Sequence, residues 1–285
     1  MFLWNFNQDE ELDLPSLSWI PNLHKCPFRQ RYIAGSAKCS MKPLSTLLIY
    51  NLSAVKTGHQ SYRDTSYSRG SVNQIWILKN SKDLLEYMQS RFLASCNNIK
   101  TFDLSTLYAT IPPSKLKDRL RKLVQLCFIK KNGQIPCARK GQILFCKKKQ
   151  KNKTLIPPKR SLKLISSTCL SFFIDNIFVM FGGHVFQQTV AIPMGTNCAP
   201  LLTDLFLYSH EAIFIQGLLR KNDKKLARSF NFTFCYIDNV LSLNNSRFGY
   251  FVDRIYPIEL KIKDTTDTDR STAYLDLHLA IDSKG

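Results

Sequence analysis

The stretch Phe230-Asn231-Phe232-Thr233-Phe234-Cys235-Tyr236-Ile237-Asp238-Asn239-Val240-Leu241-Ser242-Leu243 decides the fold. Up to Tyr236 it alternates aromatic and polar residues, the period of a half-buried strand. Asp238-Asn239 reads as a tight-turn pair, because short polar side chains bond their own backbone and tolerate left-handed angles. Val240 to Leu243 then returns as the second strand of an antiparallel hairpin. An aspartate thus stands at the tip of a hairpin whose strands are otherwise apolar.

Working upstream, Ile192-Pro193-Met194-Gly195 leads into a long helix expected from about Cys198 to Leu219. Its apolar run is broken by Asp204, His210 and Glu211. It therefore reads as amphipathic rather than as a membrane span, which needs about 20 apolar residues. Val179 to Phe181 and Val185 to Val190, joined by Gly182-Gly183, have the signature of a second hairpin. Ser166 to Phe178 is an apolar helix, and Ser114 caps another that runs to about Phe128. Ile99 to Leu104 is a strand, and Lys82 to Phe92 carries leucines and aromatics at helical spacing. Arg31 to Gly35, with Pro21 and Pro27 nearby, suggests a basic hairpin. Helices mixed with antiparallel hairpins, without βαβ repetition, predict an α+β fold.

Residues 1–13, with Asp9-Glu10-Glu11, form an acidic tail without the basic start and apolar core of a signal peptide. The length, 285 residues, suffices for one large domain or two small ones. Lysine and arginine number 40 against 21 acidic residues among 285, a formal charge of +19. Such a surplus favours a polyanionic partner, nucleic acid before an anionic membrane surface. The run Lys147 to Lys153 is a solvated loop or a phosphate-backbone contact, and also a loose nuclear-import pattern. The nine cysteines are odd in number and never paired as C-x-x-C. They read as small buried hydrophobes in a reducing compartment.

Two aspartates stand out by position. Asp103 ends a strand in Thr101-Phe102-Asp103-Leu104-Ser105-Thr106-Leu107-Tyr108, and Asp238 tips the hairpin. Brought together, two such carboxylates offer the hard oxygen ligands that magnesium prefers. They would suit two-metal phosphoryl transfer. Aspartate at a strand end and in a turn is equally ordinary, and nothing in the spacing brings residues 103 and 238 together.

Phe102 to Tyr108, Ile192-Pro193-Met194-Gly195-Thr196-Asn197-Cys198-Ala199-Pro200 and Tyr236-Ile237-Asp238-Asn239 occur in the order of polymerase motifs A, B and C. Their wording resembles the Penelope-like reverse transcriptases, relatives of telomerase. Leu23-His24-Lys25 with Arg31 to Ser36, Ser171 to Phe178, and Tyr274 to Leu279 are similar to the same family, so the resemblance spans Leu14 to Gly285. It implies a right-hand polymerase fold, fingers and palm with an antiparallel palm sheet, acting as an RNA-directed DNA polymerase. It implies magnesium, with manganese as a substitute, held by Asp103, Asp238 and the Leu104 carbonyl. Tyr108 would exclude a ribose 2′-hydroxyl; Lys25 and Arg31 would hold the incoming triphosphate. Met194 and Gly195 would form the turn beneath the templating base. Lys261 or Lys263 would be a general acid, and Tyr274 to Leu279 a primer-gripping hairpin. The partners implied are an RNA template, a DNA primer or RNA–DNA hybrid, and deoxynucleoside triphosphates, with no membrane. The work of a retroelement enzyme would be intracellular, on nuclear DNA.

Two departures bear on activity. The motif C loop usually carries two aspartates, whereas Asn239 follows Asp238 here. Asparagine keeps the size and one acceptor oxygen but removes a charge that attracts a divalent ion. The chain also leaves little length for a thumb after the primer-grip-like segment. The alternative to a polymerase is therefore an impaired or inactive remnant that only binds RNA or RNA–DNA hybrid.

Overall fold

The computed structural model describes residues 14–22, 29–35, 39–90, 96–105, 107–127, 159–192, 195–268 and 270–281. The acidic tail, Lys25, the Lys147 to Lys153 run and Met194 lie outside the described residues.

Elements follow in chain order. Strands β1 (Ser16–Asn22) and β2 (Arg29–Gly35) precede helices α1 (Lys42–Gly70) and α2 (Ser81–Ser90). Strand β3 (Ile99–Leu104) leads through a single turn, α3 (Leu107–Thr110), into α4 (Pro113–Cys127). After α5 (Lys159–Asp175) comes the hairpin β4 (Phe178–Phe181) and β5 (His184–Gln187). Helices α6 (Ala199–Arg220) and α7 (Lys224–Ser229) precede β6 (Thr233–Tyr236) and β7 (Asn239–Leu243). A 3-10 turn (Phe248–Phe251), α8 (Val252–Ile255), β8 (Ile262–Asp264), β9 (Ser271–Tyr274) and β10 (Leu277–Ala280) complete the described elements.

The central sheet has the order β6-β7-β3-β8, and every neighbouring pair is antiparallel. β7 alternates its side chains between two covered faces, so Val240 to Leu243 has no solvent-facing position. Phe102, Leu104, Cys235 and Val240 face α6 and the larger core. Ile99, Phe234, Leu241 and Leu243 face α2 and the β9–β10 hairpin through Leu84, Tyr274 and Leu279. The outer edge of β6 is covered by extended chain: the Leu78 amide donates to the Cys235 carbonyl at 2.8 Å, and the Cys235 amide to the Trp76 carbonyl at 2.6 Å. That capping removes a sheet edge that would otherwise pair with another chain. A second sheet, β2-β1-β4-β5, joins the expected basic hairpin to β4 by one parallel contact, Ser16 to Met180.

Four sequence expectations need correction. The periodicity rules leave 42–70 unassigned, yet α1 is a helix of 29 residues. Its buried stripe runs through Ser45, Leu48, Leu52, Val55, Gly58, His59 and Arg63, so polar side chains interrupt the apolar period. Their hydrogen bonds satisfy them: Arg63 Nε donates to the Tyr208 hydroxyl at 3.1 Å, and Arg63 also bonds Gln74. Second, α6 is not amphipathic. Glu211 is 0% exposed, and Leu202, Thr203, Phe206, Leu207 and Tyr208 are buried around the helix because it threads between α1, α4 and the sheet. Third, α5 stops at Asp175, and Phe178 belongs to β4. Fourth, the β6–β7 turn is Ile237-Asp238, and Asn239 is the first residue of β7 rather than a turn residue.

Candidate active site

The β6–β7 turn is two residues long, and Ile237 holds φ at +55°. A β-branched residue there is strained by about 1–3 kcal/mol, a cost borne only where surrounding contacts enforce it. Here the Leu104 amide donates to the Asp238 carbonyl at 2.8 Å, fastening the turn to the end of β3. The register pairs Asp103 with Asn239 across β3 and β7, and with Lys263 across β3 and β8. Directly opposed Cα atoms in such ladders lie about 5 Å apart. Asn239, Asp103 and Lys263 therefore form a row on the face turned toward the β9–β10 hairpin. Thr101 on that same face contacts Thr272 of β9 at 3.1 Å. The fold thus brings together the two aspartates that the sequence leaves 135 positions apart.

The Asn239 side-chain amide donates to Asp238 Oδ1 at 2.8 Å. A second aspartate could not make this bond, because an ionised carboxylate only accepts. The Tyr274 hydroxyl donates to the Asn239 carbonyl at 3.3 Å, so the hairpin expected to grip a primer packs on the same turn. Tyr108, on α3, is half-buried between that turn and α6. Burial raises its phenol above the usual range, the Asp238 and Asp204 charges push the same way, and a hydrogen bond with Thr203 opposes them. Its carbonyl accepts from the Ile192 amide at 3.0 Å, which anchors the chain entering motif B.

Gly195 has φ at +92°, and a Cβ there would stand 1.9 Å from the Ala34 carbonyl oxygen. The close approach that demands glycine is therefore to β2, the strand carrying Arg31 opposite Ile20. Leu104 is wholly buried at the end of β3. Lys261 lies level with Ser105, whose amide donates to its carbonyl at 3.0 Å. Lys263 is the lysine level with Asp103.

Beneath the turn lies a layer of buried acid groups, legible in the sequence only as interruptions of α6. Lys56 Nζ meets Asp204 Oδ2 at 2.8 Å. Burial still raises the Asp204 carboxyl, although Lys56 opposes it. Glu211 accepts from the Tyr256 hydroxyl at 2.9 Å. Burial, reinforced by the Asp204 charge, pushes it up to about 8, so it is protonated at neutral pH. The Cys235 thiol beside it is raised well above its ordinary value, first by burial and then by Glu211. The spacing of Asp204 and Glu211, two helical turns apart on one face, is the signal that could have marked this layer.

Among the described residues, no group of three or more histidine, cysteine, aspartate or glutamate side chains converges as a metal cluster. Magnesium commonly takes one or two carboxylates and completes its octahedron with substrate phosphates and water, so Asp103 and Asp238 are the residues here that could hold it. No helix among the described residues is long and apolar enough to cross a membrane.

No family model matches the chain, and no curated protein matches it. Solved structures do match. The fold they share with it is α+β, the fingers and palm of a reverse-transcriptase-type right hand. The matching structures are telomerases. The chain is similar to Candida albicans telomerase in complex with a TWJ fragment of telomeric RNA, at 13% identity and a TM-score of 0.54. That match covers 96% of this chain and 46% of the other. Apo telomerase from Candida tropicalis gives 10% identity and a TM-score of 0.55, covering 98% and 49%. The chain spans about half the length of these structures. At such identities the likeness shows the fold alone.

Proposed function

We propose that the chain is an RNA-directed DNA polymerase domain of the Penelope-like retroelement type, adding deoxynucleotides to a primer 3′ end. The observation that carries this reading is the juxtaposition of Asp103 with the Asp238 turn, through the Asp103–Asn239 register and the Leu104–Asp238 bond. In this reading Asp103, Asp238 and the Leu104 carbonyl hold magnesium, or manganese in its place. The bound ions would supply activation of the 3′-oxygen and neutralisation of the leaving pyrophosphate. Arg31 and Lys25 bind the triphosphate, the guanidinium being suited to bidentate phosphate contact. Tyr108 closes the space beside the sugar, and Met194 and Gly195 support the templating base. An RNA template with a DNA primer is the substrate, and the site of action is nuclear DNA.

A second reading, a fold that binds RNA or RNA–DNA hybrid without turnover, is favoured by one observation. The Asn239 amide takes a lone-pair position on Asp238 Oδ1 that a metal ion would otherwise use. Primer extension on an RNA template, in magnesium and separately in manganese, decides between them. Extension by the chain that disappears in Asp103→Ala supports the polymerase. Recovery only in Asn239→Asp supports a fold silenced by one amide. Silence in all three folded proteins removes the polymerase reading.

A further inference from the structure

The turn between α6 and α7 carries Arg220, Lys221, Lys224, Lys225 and Arg228 within nine residues, and all five side chains are exposed. None of them forms an ion pair with a described residue. The single acid in the segment, Asp223, caps α7 by accepting from the Leu226 amide at 3.1 Å. Like charges this dense repel one another, so a flexible segment would spread them. Here the backbone holds them together. The Lys221, Asn222 and Asp223 amides donate to the Gly217, Leu219 and Leu218 carbonyls, Asn222 turns through φ +59°, and Ala227 and Phe230 are fully buried beneath.

The patch is also remote from the candidate active site. Thr203, bonded to Tyr108, stands near the start of α6, and Arg220 ends it. The helical rise puts them about 25 Å apart. A single nucleotide bound at Asp238 does not span that distance to Arg220. We propose that the Arg220–Arg228 turn is a second nucleic-acid contact, which takes the sugar–phosphate backbone of structured RNA extending beyond the segment held at Asp238. RNA is chosen over other polyanions because of the proposed polymerase reading, and the contact itself requires no catalysis. Contact through phosphates is sequence-independent and strongly salt-dependent.

The test is fluorescence anisotropy of the full chain with a labelled RNA hairpin across a salt series. The comparison is a variant with Arg220→Gln, Lys221→Gln, Lys224→Gln, Lys225→Gln and Arg228→Gln. All five positions are exposed, so folding is preserved, which circular dichroism checks. The variant is expected to bind about tenfold more weakly or worse, with the log–log salt slope smaller by about 4. A second variant, Lys221→Arg, Lys224→Arg and Lys225→Arg, is expected to bind like the parent. Equal affinity and slope in parent and glutamine variant overturn the proposal. So does loss of binding to phosphatidylserine vesicles with RNA binding intact, which would make the patch a membrane contact. Primer extension by the parent chain runs in parallel. A chain that binds RNA through the patch yet extends no primer thus refutes the polymerase reading without touching this one.

Discussion

Replacing Glu211 by glutamine should make the protein more stable as pH rises, relative to the parent. Glu211 is fully buried, and its carboxyl is pushed up to about 8 from an ordinary 4.5. Below about pH 4.5 the group is neutral in both folded and unfolded chains, and its contribution is fully present. Between that value and about 8 the unfolded chain releases the proton while the folded chain keeps it. Stability is therefore lost through this window at about 1.4 kcal/mol per pH unit, at most about 5 kcal/mol in all. Glutamine cannot ionise and still accepts from the Tyr256 hydroxyl. Its amide faces the Cys235 sulfur, a weak acceptor, at a constant cost of about 1 kcal/mol. Burial also lowers His59 and His210 to about 4, but both are common to the two proteins and cancel in the difference. Urea unfolding should show the Glu211→Gln variant gaining about 3 kcal/mol on the parent between about pH 5 and pH 7.5. Parallel stability curves over that range would refute the buried, protonated carboxyl.

Gly195→Ala should destabilise the protein by about 3 kcal/mol, since it adds a clash with the Ala34 carbonyl to a positive φ; thermal melting reads the loss. Lys56→Met leaves the Asp204 carboxylate without its cation and should cost about 3 kcal/mol in urea unfolding. Adding Asp204→Asn should recover most of that loss. If the chain polymerises, Tyr108→Ala should raise ribonucleotide use relative to deoxynucleotide use by about tenfold or more in single-nucleotide extension.

The strands were legible because their information is local. Ile99 to Leu104 reads as a strand and β3 has those bounds, and the apolar residues around Asp238 give the hairpin. α1 was invisible because its buried stripe includes Ser45, His59 and Arg63, whose burial depends on partners such as Leu123 and Tyr208 far along the chain. Asp204 and Glu211 look solvent-facing for the same reason: a sequence carries no sign that Lys56 and Tyr256 will meet them. Propensity makes Asn239 a turn residue, yet the pairing with Asp103 and Tyr236 draws it into β7. The need for glycine at 195 was visible, but the neighbour that enforces it, Ala34, was not.

The order of the central sheet has a consequence for how the molecule is made. Strand β3 is synthesised long before β7 and β8, between which it lies. During synthesis it has no sheet partner until the ribosome has released Asn239 and then Ile262. Closing so long a loop is slow, because its entropy is lost before any ladder bond forms. Once that loss is met, further length costs little, about 0.6 kcal/mol for each doubling of the loop. The intervening chain is thus free to lengthen or shorten over generations while the two aspartates keep their meeting place, and nascent chains that have not yet delivered β7 are the ones a chaperone must hold.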